Sequence, residues 1–471
     1  MLYTAPEVRY RMRMLSISAA VVCGLLGAAA AMAQDVTDLK PQDHYTLLRC
    51  GHLIADASKP EQSKVTLIIK NDRVDRIIAG FEWPEMPDPT GHEVADLKKS
   101  LGAYTEIDLK QSWVLPGLID CHVHLMNEWD KTVRARAMTE SNEFAAVRGV
   151  MYARKTLDAG FTTVRDLGSN SPQAIFALRD AIEQKMVIGP RIIAAGHWIA
   201  ITGGHGDHTN GYRADLIPQP TPEDGVCDGP DECVKAVRNQ IKLGADVIKV
   251  TATGGVLSAS TAGLAQHFSD PELEAIVKTA HSLGRKVAAH AHGVDGINAA
   301  IRAGVDSIEH GTYMDDGTIT LLKARGGSCY HVPTLLAAQT VFDNAHQPGY
   351  YLPMVARKAL LVGPQAKLMF QKSHESGVKI AFGTDTGVSP HGDNAREFKL
   401  MVDAGMTPQE AIRAATITAS ELLGLEKEIG TLEPGKAADV IAVKGDPMKD
   451  VTELERIAFV MRGGVTAKGM K

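Results

Sequence analysis

The spacing of hydrophobic and polar positions changes near residue 114. From there to residue 422, short apolar runs alternate with longer stretches in which apolar residues recur at helical spacing. Several of the helical stretches end at glycine, a common helix terminator. This alternation predicts an α/β fold, with eight parallel strands and their helices in a (β/α)8 TIM-like barrel. The apolar runs span residues 117–125, 162–168, 190–196, 245–254, 285–293, 305–312, 327–334 and 378–385.

The segments on either side of the barrel have the shorter alternation that is typical of β-strands. Short runs separated by turn residues fill residues 34–113, and strand patterns return in residues 423–471. We expect the two flanks to build one smaller β-sandwich domain, with the barrel of residues 114–422 between them in the chain. The long stretch 200–232, after the third run, is expected to form loops over the barrel mouth.

The N-terminal segment has a composition of its own. Three arginines precede an apolar run over residues 15–31, and a small-residue cleavage pattern ends at Ala33. This pattern predicts a secretory signal peptide over residues 1–33 and an exported protein, periplasmic or secreted. An uncleaved membrane anchor is the alternative, although the run is short for a bilayer span. No second segment of the sequence is apolar enough to cross a membrane.

Composition and charge narrow the class of protein. The 471 residues are 44% hydrophobic and 23% charged, and the net charge is −6 without a basic stripe, which argues against nucleic acid as a partner. Export favours a disulfide between Cys227 and Cys233, which bracket a short polar loop. Cys121 and Cys329 lie in apolar runs and are expected to be buried thiols.

Polar side chains interrupt the apolar runs where a barrel of this kind carries its site, at the carboxyl ends of the strands. His122 and His124 are two residues apart in the first run, so they share a strand face with Asp120. One such histidine is more often structural, but a set of them at one end of a barrel predicts a site for zinc or a similar divalent ion. The other members are Lys249, His290, His292, His310 and Asp385.

The sequence resembles the amidohydrolase superfamily of metal-dependent hydrolases. The resemblance covers essentially the whole chain after the signal segment. It rests on VLPGLIDCHVH, VIKV, AAHAHG, SIEHG, FGTD and the tail ATITASELLGLEKEIGTLEPGKAADVIAV. Within that superfamily the chain resembles the secreted Xaa-Pro dipeptidase and metallocarboxypeptidase branch, which includes amidohydrolases that cleave ochratoxin A. The segments ITGGHGDH and AAHAHG and the signal peptide carry this resemblance.

The resemblance implies a binuclear site with two divalent ions, most simply Zn2+. It assigns one ion to His122, His124 and Asp385, and the other to His290 and His310. Lys249 would be carboxylated by CO2, and the resulting carbamate would bridge the two ions. An anionic bridge suits this place because two neighbouring cations repel each other, and burial favours the neutral amine that CO2 requires.

The two histidines of AAHAHG differ in the role that the resemblance implies for them, and Asp385 has a second role. Spacing cannot choose between His290 and His292, because both lie on one strand face. The resemblance favours His290 as the ligand and leaves His292 for substrate binding. Asp385 would also be the catalytic group, taking a proton from the attacking water and delivering it to the leaving amine.

Substrate-binding residues are expected around the same mouth. His205 and His208 follow the third run in a glycine-rich loop. Tyr330 and His331 are neighbours on one strand, so only one of them can face the site, and Tyr330 is favoured as a hydrogen-bond donor to the oxyanion. No arginine stands out as a clamp for a substrate carboxylate, although Arg213 in the long insert is a candidate.

The resemblance implies hydrolysis of an amide bond to a C-terminal amino acid. Expected substrates are dipeptides, N-acyl amino acids and ochratoxin A. One alternative is a cyclic-amide hydrolase resembling imidazolonepropionase, and another is a periplasmic binding protein that uses the barrel mouth without catalysis. The family resemblance also implies a homo-oligomer, such as an octamer.

Overall fold

The computed structural model describes residues 43–81, 104–213, 215, 217–260 and 263–470. The predicted signal peptide and its cleavage site lie outside these residues. Among the helices of the described ranges, none is both long and apolar enough to cross a membrane.

The apolar runs of the described residues fold as fourteen strands. Strands from the middle of the chain are buried on both faces, as LIDCHV (118–123) illustrates, which is typical of parallel strands covered by helices. The strands are β1 (Tyr45–Leu53), β2 (Gln62–Lys70), β3 (Arg73–Ala79), β4 (Tyr104–Pro116), β5 (Leu118–Val123), β6 (Phe161–Asp166), β7 (Arg191–Ala194), β8 (Val247–Thr251), β9 (Lys286–Ala291), β10 (Ser307–His310), β11 (Tyr330–Val332), β12 (Val440–Val443), β13 (Phe459–Arg462) and β14 (Val465–Lys468).

Helices connect the central strands. Gly244 and Gly304, both in the left-handed conformation, each end one of them, as the sequence pattern predicts. The α-helices of the described residues are α1 (Val133–Thr139), α2 (Asn142–Asp158), α3 (Pro172–Glu183), α4 (Pro230–Leu243), α5 (Asp270–Ser282), α6 (Val294–Ala303), α7 (Asp316–Ala324), α8 (Leu335–Ala345), α9 (Pro353–Glu375), α10 (Arg396–Asp403), α11 (Pro408–Arg413) and α12 (Ala419–Leu423).

One mixed sheet contains strands from both flanks of the chain. Its order is β14-β13-β12-β4-β1-β2-β3. Strand β4 pairs in parallel with β1 on one side and antiparallel with β12 on the other. The two flanks therefore meet along β4, which leads directly into β5 and the first candidate ligands.

The strands that carry the candidate ligands pair in parallel in two further sheets, with the orders β5-β6-β7 and β11-β10-β9-β8. Hydrogen bonds cross the gap between β7 and β8. The N–H of Asp246 donates to the carbonyl of Ala194 at 2.8 Å, and Ile199 forms an isolated bridge with Val250. The seven strands are therefore held in chain order, with their carboxyl ends on one side.

The eighth predicted strand, residues 378–385, does not form a regular strand, so regular pairing does not close the barrel. Near its end, Thr384 donates its N–H to the buried carboxylate of Asp120 at 3.1 Å instead of to a neighbouring strand. Isolated bridges tie the segment on both sides, Ile380 with His331 and Thr386 with Val123.

Aromatic packing holds this irregular segment in place. The ring of Phe382 lies 5.5 Å from that of Phe161 at the start of β6 and 4.4 Å from that of Phe398 in α10. All three side chains are fully buried. Burial of such rings stabilises the fold by about 2–3 kcal/mol each, so the segment is fixed by its side chains where backbone pairing is incomplete.

The described residues of the insert 200–232 form loops and one short 3-10 turn, Pro222–Asp224, before α4 begins at Pro230. Cys227 and Cys233 are joined by a disulfide, as the sequence predicts, and this bond ties the end of the insert to α4. Cys121 and Cys329 are buried free thiols, also as predicted.

Candidate metal centre and substrate cavity

Side chains from the carboxyl ends of several strands converge on one centre. His122, His310 and Asp385 each bring a potential ligand atom to within 4.8 Å of the others. His290, His292 and His310 form a second such group. The ligand sets implied by the family resemblance assign His310 to one ion and His122 and Asp385 to the other. In the structure His310 belongs to both groups, so the two groups are adjacent.

Asp385 lies against the two histidines of the first run. Its Oδ1 is 3.1 Å from Nε2 of His124 and 3.5 Å from Nε2 of His122. Burial alone would raise the pKa of Asp385, but the neighbouring histidines and Lys249 outweigh it and lower the pKa. An ionised carboxylate beside imidazoles is a donor set that suits zinc.

Three residues around the centre have left-handed backbone conformations, with φ of 69° at His310, 57° at Asp385 and 51° at Thr334. This region costs a residue other than glycine about 1–2 kcal/mol. Strain of this kind persists where the surroundings fix the backbone, and it is common at functional sites. Here it turns two candidate ligands toward the centre at the point where their segments end.

Outer hydrogen bonds fix which nitrogen of three histidines faces the centre. Nδ1 of His122 lies 2.9 Å from the Glu309 carboxylate, and Nδ1 of His124 lies 2.7 Å from the carbonyl of Gly168. Nδ1 of His310 lies 2.7 Å from Oγ1 of Thr334. Donation from Nδ1 leaves the Nε2 lone pair for a metal, which is the usual arrangement of metal-binding histidines.

His290 and His292 both belong to the cluster. Nε2 of His290 lies 3.4 Å from the carbonyl of Gly254, and Nδ1 of His292 lies 2.7 Å from Oγ1 of Thr312. Burial lowers the pKa of both rings, that of His292 to about 3. Both are therefore neutral imidazoles at physiological pH, the form that binds a metal.

Lys249 is the unusual member of the centre. Its side chain is 4% exposed, and within the described residues its Nζ has no hydrogen-bond partner. Burial lowers its pKa to about 8. A buried amine without a partner is costly, so the donor set around it fits a ligand or modification that this structure does not itself contain.

A charged pair that the sequence analysis missed supports the centre from behind. Glu309 and Arg165 are both buried, and the guanidinium donates to the carboxylate at 2.9 Å. Burial alone would raise the pKa of Glu309, but Arg165 and His122 lower it to about 2. Opposite charges inside two apolar strands, VRD and IEHG, were the signal that could have found this pair.

A cavity of about 480 Å³ opens over the centre, a size that is typical of small-molecule sites. His205 reaches the centre, since its ring lies 4.3 Å from that of His290. His208 stands beside His197, at 6.1 Å between ring centroids. The sequence-predicted residues that line the cavity are His122, His124, His205, His208, Lys249, His290, His292, His310 and Asp385.

Comparison with known proteins agrees with this geometry. The sequence model of the amidohydrolase family matches residues 113–471. The chain belongs to the amidohydrolase family. Members of this family are metal-dependent hydrolases that act on C–N bonds.

Three further likenesses place the chain within the amidohydrolases. It is 32% identical over 444 residues to ochratoxinase of Aspergillus niger, over 90% of this chain and 87% of that protein. A crystal structure of an Xaa-Pro dipeptidase with methionine bound in its active site superposes with a TM-score of 0.82 at 41% identity, covering 90% of this chain and all of the other. A crystal structure of a prolidase complexed with N-methylphosphonate-L-proline gives a TM-score of 0.78 at 29% identity, with 90% and 100% coverage.

Asp120 has a structural place in this amidohydrolase rather than a place among the ligands. Its carboxylate accepts hydrogen bonds from Oγ1 of Thr384 at 2.6 Å and from Nδ2 of Asn394 at 2.8 Å. Burial raises its pKa to about 6. The shared strand face suggested proximity to the metals, but the side chain is occupied in fixing the segment that ends at Asp385.

The prediction that Tyr330 binds the oxyanion is wrong. Tyr330 starts β11, and its ring lies 5.3 Å from Nζ of Lys379, at the amino end of the eighth segment. Its hydroxyl is 3.5 Å from the Glu421 carboxylate, and it does not line the cavity. Its neighbour His331 is also engaged elsewhere, with Nδ1 3.0 Å from Oγ of Ser373.

Arg213 also lies away from the cavity, because it is exposed and pairs with Asp215 at 2.6 Å. Instead, Arg134, Arg136 and Arg148 line the cavity of this amidohydrolase. Arg134 and Arg136 lie in α1 and Arg148 lies in α2, and the sequence offers no signal that these arginines face the cavity.

Proposed function

We propose that this amidohydrolase is a binuclear metal enzyme that hydrolyses the amide bond to a C-terminal amino acid. The observation that carries the proposal is the amine of Lys249, which has no hydrogen-bond partner among the described residues and lies within a cluster of neutral imidazoles and an ionised aspartate. A cluster of this composition is ready for divalent cations and lacks only an anionic bridge between them.

Lys249 can supply that bridge. With a pKa of about 8, a useful fraction of the amine is neutral near physiological pH. The neutral amine attacks CO2, an N–C bond forms, and a proton is released, which leaves a carbamate anion. One ion would be held by His122, His124 and Asp385. The other would be held by His290 and His310, and the carbamate would contribute to both sites.

Two divalent ions held in this way, most simply Zn2+, would polarise the scissile carbonyl and lower the pKa of a water molecule. Asp385 accepts a proton from that water molecule while the oxygen of the water attacks the carbonyl carbon. The C–N bond then breaks, and Asp385 returns the proton to the leaving amine. The position of its Oδ1, 3.1 Å from Nε2 of His124, supports this role.

The substrate class is proposed from the relatives and from the cavity together. The similar proteins include an ochratoxinase, an Xaa-Pro dipeptidase and a prolidase, which supports dipeptides, N-acyl amino acids and ochratoxin A as substrates. His205, His208 and His292, which line the cavity around the metal centre, are proposed to contact the substrate.

The wider architecture is part of the proposal. We infer a closed (β/α)8 barrel over residues 114–422 and a β-sandwich from residues 34–113 and 423–471. We also infer cleavage of a signal peptide after Ala33, export and assembly as a homo-oligomer. N-terminal sequencing of the exported protein and light scattering of the purified protein test the last three.

A substrate panel tests the function. The metal-loaded protein is incubated with dipeptides, N-acyl amino acids, ochratoxin A and cyclic amides, with and without chelator. Chelator-sensitive release of a free amino acid supports the proposal. Ring opening of the cyclic amides alone, or binding without turnover, would overturn it. Native mass spectrometry of the same protein should find one CO2 on Lys249, and a plain lysine in an active, metal-loaded protein would remove the bridging role.

A further inference from the structure

The three arginines that line the cavity differ in their partners. Arg136 pairs with Asp130 at 2.6 Å, and Arg148 pairs with Glu140. Arg134 has no ion pair with any carboxylate of the described residues. A carboxylate partner partly neutralises the charge of Arg136 and of Arg148. Arg134 is therefore the cavity arginine whose charge no carboxylate of the described residues neutralises.

Neighbouring groups hold the Arg134 guanidinium in one orientation. The Cζ atom of Arg134 lies 5.1 Å from the centre of the Tyr212 ring, so the guanidinium lies over the face of that ring. One N–H donates to the carbonyl of Asn210 at 3.1 Å. The hydroxyl of Tyr212 donates in turn to the carbonyl of Arg134 at 3.1 Å. A guanidinium has five N–H donors, and this single hydrogen bond to the described residues leaves others for a ligand.

The loop that holds Arg134 also reaches the metal centre. Asn210, which accepts from Arg134, donates its own side-chain N–H to the carbonyl of Gly204 at 2.6 Å. The next residue, His205, lies with its ring 4.3 Å from that of His290. One compact loop therefore joins the guanidinium to the reacting end of the cavity, and both line the same cavity.

One wall of the cavity is apolar. Val256 and Leu257 come from the loop after β8, while Val341 of α8 and Val362 of α9 complete this side. A ligand that fills the cavity would place an apolar side chain against this wall. Its anionic group would then be matched by the planar guanidinium, which binds carboxylates through two parallel hydrogen bonds.

We propose that Arg134 is a specificity-determining residue that binds the free α-carboxylate of the substrate. This inference rests on the proposed function, because it assigns the carboxylate of the C-terminal amino acid to one side chain. The enzyme is then selective for substrates that end in a free acid, and their neutral amide analogues are disfavoured by the loss of this contact.

The test compares an N-acyl phenylalanine with its carboxamide on the holoenzyme. Wild type, Arg134→Met and Arg134→Lys are assayed, with Arg213→Met as the matched control in which an exposed, paired arginine is removed. Hydrogen bonds to charged groups are worth about 1.5–3 kcal/mol, so Arg134→Met should reduce the preference for the acid in kcat/KM by about 10- to 100-fold, chiefly through KM. Arg134→Lys should fall between, and Arg213→Met should keep the wild-type preference.

An equal loss on acid and carboxamide in Arg134→Met, or an unchanged preference, would overturn the assignment. The assignment would also be overturned if Arg134→Met lost a preference for substrates that carry their anionic group on the acyl side and not on the C-terminal amino acid. Calorimetric binding of an analogue with a secondary amine in place of the amide separates the two proposals. A wild type that cleaves neither substrate can still bind the acid form of the analogue more tightly than its carboxamide form, with no such difference in Arg134→Met. In that case the carboxylate site stands and the hydrolytic function fails.

Discussion

Glu309 accepts a hydrogen bond from Nδ1 of His122 at 2.9 Å and an ion-paired one from Arg165 at 2.9 Å. The carboxylate thus connects a candidate metal ligand to a guanidinium buried in the barrel wall. Because His122 must donate from Nδ1 to this anion, its Nε2 is left as an acceptor at the centre. The orientation of the ligand is therefore set by a pair of charges that do not line the cavity.

Glu309→Gln should weaken both stability and metal binding. Removing one partner of a buried pair costs about 3–5 kcal/mol, and loss of an outer hydrogen bond lowers metal affinity about 10- to 100-fold. Denaturant unfolding and metal titration measure the two effects. The double variant Glu309→Leu/Arg165→Met should regain stability but not metal affinity. Full metal affinity in either variant would contradict the positioning role.

Lys249→Ala should lose bound metal and turnover, since the proposed bridging anion is absent. Short carboxylic acids such as acetate should restore part of both, because the space left by the side chain can admit a carboxylate in place of the carbamate. Metal content and kcat are measured against acetate concentration. Lys399→Ala, which removes an exposed lysine paired with Asp403, is the control. Its metal content and kcat should equal those of wild type and should not change with acetate. Undiminished turnover in Lys249→Ala would rule out the bridge.

Asp385→Asn should lower kcat by at least about 100-fold, since a positioned general base contributes about 10²–10⁴-fold. Asparagine tolerates the left-handed backbone of this position, so the fold should be kept. Because Asp385 is also a proposed metal ligand, kcat is measured at saturating metal, and circular dichroism and metal analysis check the fold and the metal content of the variant. A variant with full metal and more than about a tenth of wild-type kcat would exclude Asp385 as the proton carrier.

Thr334→Val should reduce metal affinity about tenfold, because Nδ1 of His310 loses the hydroxyl at 2.7 Å that fixes its ring. Valine keeps the shape and β-branching of threonine, so the change isolates the hydroxyl. Thr334→Ser retains that hydroxyl and should bind metal like wild type. Equal losses in both variants would indicate a backbone effect of the left-handed residue rather than a role for the hydrogen bond.

The order of the elements and the cluster of ligands could be predicted because both depend on local pattern. Apolar runs give the strands, and the carboxyl ends of parallel strands meet at one edge, so His122, Lys249 and His310 were expected together. The pairing of residues 378–385 could not be predicted in the same way. The run is apolar enough for a strand, but a carboxylate from β5 takes the N–H of Thr384.

The misplacement of Tyr330 and the missing arginines share another cause. Alternation along a strand gives the face of a side chain but not its position between the two ends of the strand. Tyr330 lies at the amino end of β11 and outside the cavity. Arg134 lies on α1, whose path across the mouth depends on packing between distant segments. Tertiary placement of this kind leaves no periodic signal in the sequence.

Strand β4 has neighbours from opposite ends of the chain, β1 on one edge and β12 on the other. During synthesis the β12 edge of β4 stays open until the ribosome has made almost the entire protein. Such long-range pairing slows folding, and an open strand edge invites pairing with other chains. A chain that stops before Val440 would therefore keep every candidate ligand and still be prone to aggregate.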